Sequence, residues 1–180
     1  MSRPSDEELM LRFCSGDESA FDALFERHAV AVHGFISRIV RDSDLANDLL
    51  QVTFLSVVRA RNRFQPGALV KPWLFTIAGN AARDLLRHDK RAMGSVEERR
   101  QSRERSLEVA FPDPGLRRLL SNALAALSAD QREAVLLHKV EGWSFSEIAA
   151  AAGITETAAR IRAHRGYEKL RQILGPQVEM

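Results

Sequence analysis

Residues 144–174, SFSEIAAAAGITETAARIRAHRGYEKLRQIL, admit very few folds. Ser144 and Glu147 stand in S-x-x-E order, so each side chain can satisfy a backbone N–H left open at a helix start. Ile148, Ala149 and Ala152 then give the first helix a small apolar face. Gly153 tolerates the positive φ that closes a helix, and Thr155 suits the N-cap of the next one. That second helix can run to Leu174, where Gly175 and Pro176 stop it. At about 1.5 Å per residue it would be roughly 30 Å long. Arg160, Arg162, Arg165, Lys169 and Arg171 decorate it, against Glu156 and Glu168. A short helix, a glycine turn and a basic second helix describe a helix-turn-helix, whose second helix enters the DNA major groove.

An ordinary helical hairpin with a solvated basic face would share this pattern. Two features favour DNA. The alanine-rich first helix lets a second helix cross it closely. The arginines begin near the N-terminal end of the second helix, the part that reaches base edges in this motif.

The rest of the 180-residue chain has to supply the context. Hydrophobic residues make up 45%, enough for real cores, while a net charge of only +2 means that any basic surface is local. The single cysteine, Cys14, excludes a disulfide framework and a thiolate zinc site. Cys14, His28 and His33 match the spacing of no standard metal site, and no metal or cofactor is expected. The opening MSRPSDEELM lacks a signal-peptide core, and no apolar run is long enough for a bilayer, so a soluble cytoplasmic protein is expected. No phosphate-cradling glycine loop and no strand alternation occurs, and no carboxylate cluster suggests an enzyme. The predicted fold class is all-α.

Taken in order, residues 6–13 predict a short helix capped by Ser5 or Asp6, broken at Ser15, Gly16 and Asp17. Phe21, Leu24, Phe25, Val32, Phe35, Ile36 and Ile39 then recur at helical spacing. A third helix, predicted over 45–60, carries two apolar stripes. Leu45, Leu49 and Val52 form one; Ala46, Leu50, Phe54 and Val57 form the other. A surface helix needs one. Either this helix is buried all round, or one face meets a partner with Asp44, Asp48 and Gln51 at the rim; periodicity does not separate the two.

A basic loop with an aromatic follows at residues 59–67. Pro72 fits the first turn of a fourth helix predicted over 72–90, with Leu74, Ile77, Ala78, Ala81 and Leu85 as its core stripe. Trp73, Thr76, Asn80, Arg83 and Arg87 lie on another line. Aromatics stack on unpaired bases, amides read base edges and arginines neutralise phosphate, so this line suits single-stranded nucleic acid. Taken alone, it reads better as a tryptophan closing the core beside solvated arginines. Residues 92–115 mix charges without a durable apolar stripe and read as a flexible linker. Helical patterning resumes at Leu116, and Ser128 with Gln131 forms a second capping box. Three units are therefore expected: a helical domain over 1–91, the linker, and a four-helix domain over 116–180.

This assembly resembles a bacterial extracytoplasmic-function (ECF) sigma factor of the sigma-70 superfamily. The matching text runs from Asp44-Leu-Ala-Asn-Asp-Leu-Leu-Gln-Val-Thr-Phe54 through Lys71-Pro-Trp-Leu-Phe-Thr-Ile-Ala-Gly-Asn80 to Arg87. It continues with Leu127-Ser-Ala-Asp-Gln-Arg-Glu-Ala-Val-Leu-Leu137, then Glu141-Gly-Trp-Ser-Phe-Ser-Glu-Ile-Ala149, Gly153, Arg162 and Arg165. The resemblance implies that the first domain is sigma region 2. Its double-striped helix would dock on core RNA polymerase, at the β′ clamp helices, through Asp44, Asp48, Leu49, Gln51 and Phe54. Asn62, Arg63, Phe64, Lys71, Trp73, Asn80, Arg83 and Arg87 would hold the melted −10 strand. The second domain would be region 4, reading the −35 duplex with Thr155, Glu156, Arg160, Arg162, Arg165 and Lys169. The polymerase β subunit, promoter DNA and an anti-sigma protein are the implied partners.

The chain departs from the family pattern at several positions. Asn47 and Val52 stand where acidic residues are usual, Thr76 and Gly79 where basic ones are. Thr157-Ala-Ala-Arg-Ile-Arg162 replaces a usual G-T-V-K-S-R. Two rivals remain: a stand-alone helix-turn-helix regulator, which leaves the first domain unexplained, and a helical adaptor without DNA contact, which leaves the arginine cluster unexplained.

Overall fold

A computed structural model describes residues 3–92 and 114–175. Eight α-helices make up the described residues: α1 (Asp6–Cys14), α2 (Glu18–Val40), α3 (Ser43–Ala60), α4 (Val70–Ala92), α5 (Pro114–Ala126), α6 (Ala129–Lys139), α7 (Phe145–Ala152) and α8 (Glu156–Leu174). A 3-10 turn, Arg61–Arg63, follows α3. The linker expected over 92–115 lies outside the described residues, apart from its ends at Ala92 and at Pro114 and Gly115.

The caps follow the sequence. Ser5 and Glu8 close a capping box on α1. Ser128 with Gln131 does so on α6, and Ser144 with Glu147 on α7. Asp17 caps α2, and Asp42 caps α3 through the amides of Asp44 and Leu45. The α3 helix therefore starts two residues before the predicted boundary. Val70 opens α4, which places Pro72 inside its first turn, where its missing N–H costs nothing.

One core runs through both helical units. Phe35, Ile36, Ile39 and Phe75 of the first unit share a cluster with Leu137, Trp143 and Ile148 of the second. A smaller cluster, Ala123, Leu124, Leu127, Val135 and Leu170, joins α5, α6 and α8. The turn between α6 and α7 is pinned where His138 Nδ1 lies 2.7 Å from the Trp143 carbonyl. No helix among the described residues is long and apolar enough to cross a membrane.

Candidate nucleic-acid interface

Gly153 ends α7 at φ 65°, and the Thr155 hydroxyl accepts the Ala158 amide at 3.2 Å to start α8. A left-handed residue is what lets the chain reverse here without a clash at Cβ. Ala159, Ala163, Gly166 and Leu170 bury one side of α8. Thr157, Arg160, Ile161, His164, Arg165 and Glu168 consequently face solvent.

The predicted −35 residues divide on this helix. Arg160 is exposed, paired with Glu156 at 2.8 Å and placed 5.2 Å from the Phe145 ring. Arg165 and Lys169 are exposed. Arg162 is turned away from that row and meets Asp130 of α6 at 3.2 Å, because its register lies beside the buried edge of α8. Thr155 serves the helix as its cap. Sequence reasoning missed Ile161, which is 45% exposed at the middle of the outward face. Its signal was its position halfway round the helix from Ala159 and Ala163.

On α3 the structure corrects two expectations. Leu49 and Phe54, predicted to face the polymerase, are buried. They turn inward because the core row of α3 runs Ala46, Leu49, Thr53, Phe54 and Val57. The outward row is Asp44, Asp48, Gln51, Val52 and Leu55. Val52 and Leu55 are about half exposed, at 47% and 54%. The helix thus carries an outward apolar patch made of Val52, from the predicted stripe, and Leu55, which neither stripe included.

The predicted strand-binding line on α4 is divided too. Phe64 is buried and meets Trp73 edge-on at 5.2 Å, so it supports the tryptophan and offers no free face of its own. Trp73 is half-buried. Asn62, Arg63, Asn80 and Arg87 are exposed. Lys71 pairs with Glu141 of the second unit at 3.0 Å. Arg83 is nearly buried and donates from Nη1 to both carboxylate oxygens of Glu133 on α6, each at 2.7 Å, while Nη2 donates to Asn80 Oδ1. Burial pushes the Glu133 carboxyl above its ordinary value, against the pull of the Arg83 charge.

Among the described residues no cluster of His, Cys, Asp and Glu has the makings of a metal site. Cys14 donates its S–H to the Arg61 carbonyl at 3.1 Å. His28 lies 2.7 Å from Asp6.

A basic helix-turn-helix joined to a helical bundle with an exposed acidic and apolar row defines a two-unit transcription protein. The family comparison agrees in both halves: residues 24–92 match sigma-70 region 2 and residues 117–170 match sigma-70 region 4. The chain is 54% identical to the RNA polymerase sigma factor CarQ of Myxococcus xanthus over 166 residues, covering 92% of this chain and 95% of that protein. Its fold is similar to CnrH in complex with the cytosolic domain of CnrY, with a TM-score of 0.72, 27% identity and coverage of 96% and 99%. It is also similar to the sigma factor RpoE of Bartonella quintana in complex with the anti-sigma factor NepR, with a TM-score of 0.71, 27% identity and coverage of 88% and 98%. This chain belongs to the ECF sigma factors of the sigma-70 family. Its function is that of an alternative sigma factor in transcription initiation.

Proposed function

We propose that the chain performs this function through three surfaces. The outward row of α3, with Val52 and Leu55 framed by Asp44, Asp48 and Gln51, docks on core RNA polymerase at the β′ clamp helices. Exposed apolar side chains rimmed by polar ones mark a protein interface. The loop residues Asn62 and Arg63, with Lys71, Trp73, Asn80, Arg83 and Arg87, hold the melted −10 strand by stacking and phosphate contact. The outward face of α8 enters the −35 duplex with Arg160, Ile161, His164 and Arg165. Phosphate contacts set the register there and base-edge contacts choose the sequence.

The protein works in the cytoplasm beside polymerase and DNA, and acts by binding, with no bond made or broken in its own site. Among the similar structures, one holds CnrH with the cytosolic domain of CnrY and another holds the sigma factor RpoE with the anti-sigma factor NepR; an anti-sigma protein is the corresponding regulator here.

The observation that carries this reading is the presence of the α3 row and the α8 row on one chain. Permanganate reactivity of thymines in promoter DNA tests it. With core polymerase and this protein, thymines at −10 become reactive; with either alone they stay protected. Reactivity from polymerase alone would contradict the reading.

A further inference from the structure

Arg160 stands on the outward face of α8, yet its guanidinium is held at two points. One is the Glu156 carboxylate, a turn earlier on the same helix, at 2.8 Å. The other is the ring of Phe145 on α7, whose centroid lies 5.2 Å from the guanidinium carbon, within reach of a cation–π contact. The ion pair alone would order little. Both of its side chains are more than half exposed, and exposed pairs of this kind barely offset the freedom that two long side chains lose.

The ring is fixed by its neighbours. Phe145 is the first residue of α7, directly after the Ser144 cap. The His138 ring of α6 packs on it at 4.4 Å, tilted by 30°. His138 is itself pinned: a carbonyl only accepts, so Nδ1–H donates to the Trp143 carbonyl at 2.7 Å. Tyr167, about two turns beyond Arg160 on α8, comes within 6.3 Å of the same imidazole. Tyr167, His138 and Phe145 thus form a row of rings across the joint of α6, α7 and α8, and Arg160 rests at the Phe145 end of it.

A guanidinium reads guanine when its planar fork meets the O6 and N7 acceptors together. An arginine that enters a groove from the solvated state loses its rotamer freedom on contact. One already laid against a ring has lost much of it in the free protein. Glu156 engages Nη2, which leaves the other nitrogens of the fork for a base. We propose that Phe145 is a positioning residue for −35 reading: with His138 packed on it and Glu156 beside it, the ring presets the Arg160 fork for one guanine of the element. The inference rests on the proposed entry of α8 into the −35 duplex. It deepens that reading by naming the base that Arg160 selects and the side chain that sets its geometry.

The test uses core polymerase with the full chain and a promoter fragment whose −35 segment is randomised; bound duplexes are sequenced. The unaltered chain should prefer guanine at one position by about tenfold or more, and Arg160→Ala should remove that preference. Phe145→Leu keeps the apolar bulk and removes the flat ring. It should lower the same preference by about threefold, the effect of an exposed cation–π contact, and leave other positions unchanged. Phe145→Tyr, which keeps the ring, should retain the preference. Circular dichroism checks that each variant folds. If Phe145→Leu does not, the δ-methylene proton shifts of Arg160 in the unaltered chain decide. A ring current should displace them upfield in the free protein and with a selected guanine-bearing duplex bound, and bound-state shifts without that displacement overturn the proposal. So does a guanine preference that Phe145→Leu leaves whole, or a loss spread evenly over every position, as mere packing of α7 on α8 would give; in both cases the role of α8 stands. A profile without that guanine, or one that Arg160→Ala leaves unchanged, overturns base reading by Arg160 and this proposal with it.

Discussion

The ring of Phe54 on α3 meets the ring of Phe25 on α2 edge-on, with centroids 4.7 Å apart. Phe21 approaches the same ring from a second side at 6.1 Å. Phe54 therefore fastens α3 to α2 and contributes nothing to an outer surface. Replacing it with alanine should cost about 3–5 kcal/mol of stability, through lost transfer energy and the cavity left behind. Thermal unfolding followed by circular dichroism measures this.

The opposite result is expected on the outward face of the same turn. Val52→Asp and Leu55→Asp touch half-exposed positions and should shift stability by no more than about 0.5 kcal/mol. Both should strongly weaken co-migration with core polymerase on a native gel. Unchanged co-migration would remove α3 from the polymerase interface.

Ile161 projects a branched apolar side chain from the centre of the outward face of α8. Its natural counterpart in a major groove is the 5-methyl group of thymine, and such a contact belongs to the about 1–3 kcal/mol range of base discrimination. Replacing thymines of the −35 element singly with uracil, which lacks the methyl, should weaken binding at one position in the wild type. Ile161→Ser should abolish that difference.

The Asp6 carboxylate receives Arg27 at 2.7 Å and stands 2.7 Å from His28. Burial alone would raise its proton affinity, but the Arg27 hydrogen bond and the His28 charge outweigh it and hold the carboxyl below the ordinary 3.8. A depressed acid stabilises the fold above its unfolded value and loses that contribution as pH falls through the folded one. Acid titration of the wild type should therefore show a stability loss beginning near the ordinary carboxylate value. Asp6→Asn should be less stable at neutral pH and lack that acid-induced loss.

Ser128 accepts the Gln131 amide, and Gln131 Oε1 accepts the Ser128 amide in return. Ser128→Ala should lower stability by about 1 kcal/mol, measured by urea denaturation, with no change in the wild-type set of helices.

Caps and turns were the most legible part of this chain. Ser144 with Glu147, Ser128 with Gln131, Thr155 and Gly153 act over three or four residues, so their geometry follows from local sequence. Which side of a helix faces which neighbour did not. On α3, Leu49 and Val52 share one stripe by spacing, and only the packing of α3 on its neighbours buries Leu49 and leaves Val52 outside. On α4, Arg83 reads as a solvated or strand-binding cation until Glu133, fifty residues away in sequence, is brought against it. Arg162 shows the same limit: its pairing with Asp130 depends on how α6 crosses α8. Pairings between distant elements have no local pattern in the chain.

The central claim is that this chain gives core RNA polymerase its promoter specificity, and run-off transcription tests it most directly. Core polymerase on a cognate promoter template should make a transcript of defined length only when the protein is added, and Leu55→Asp should abolish that transcript. Equal transcription without the protein, or no defined transcript with it, would contradict the account.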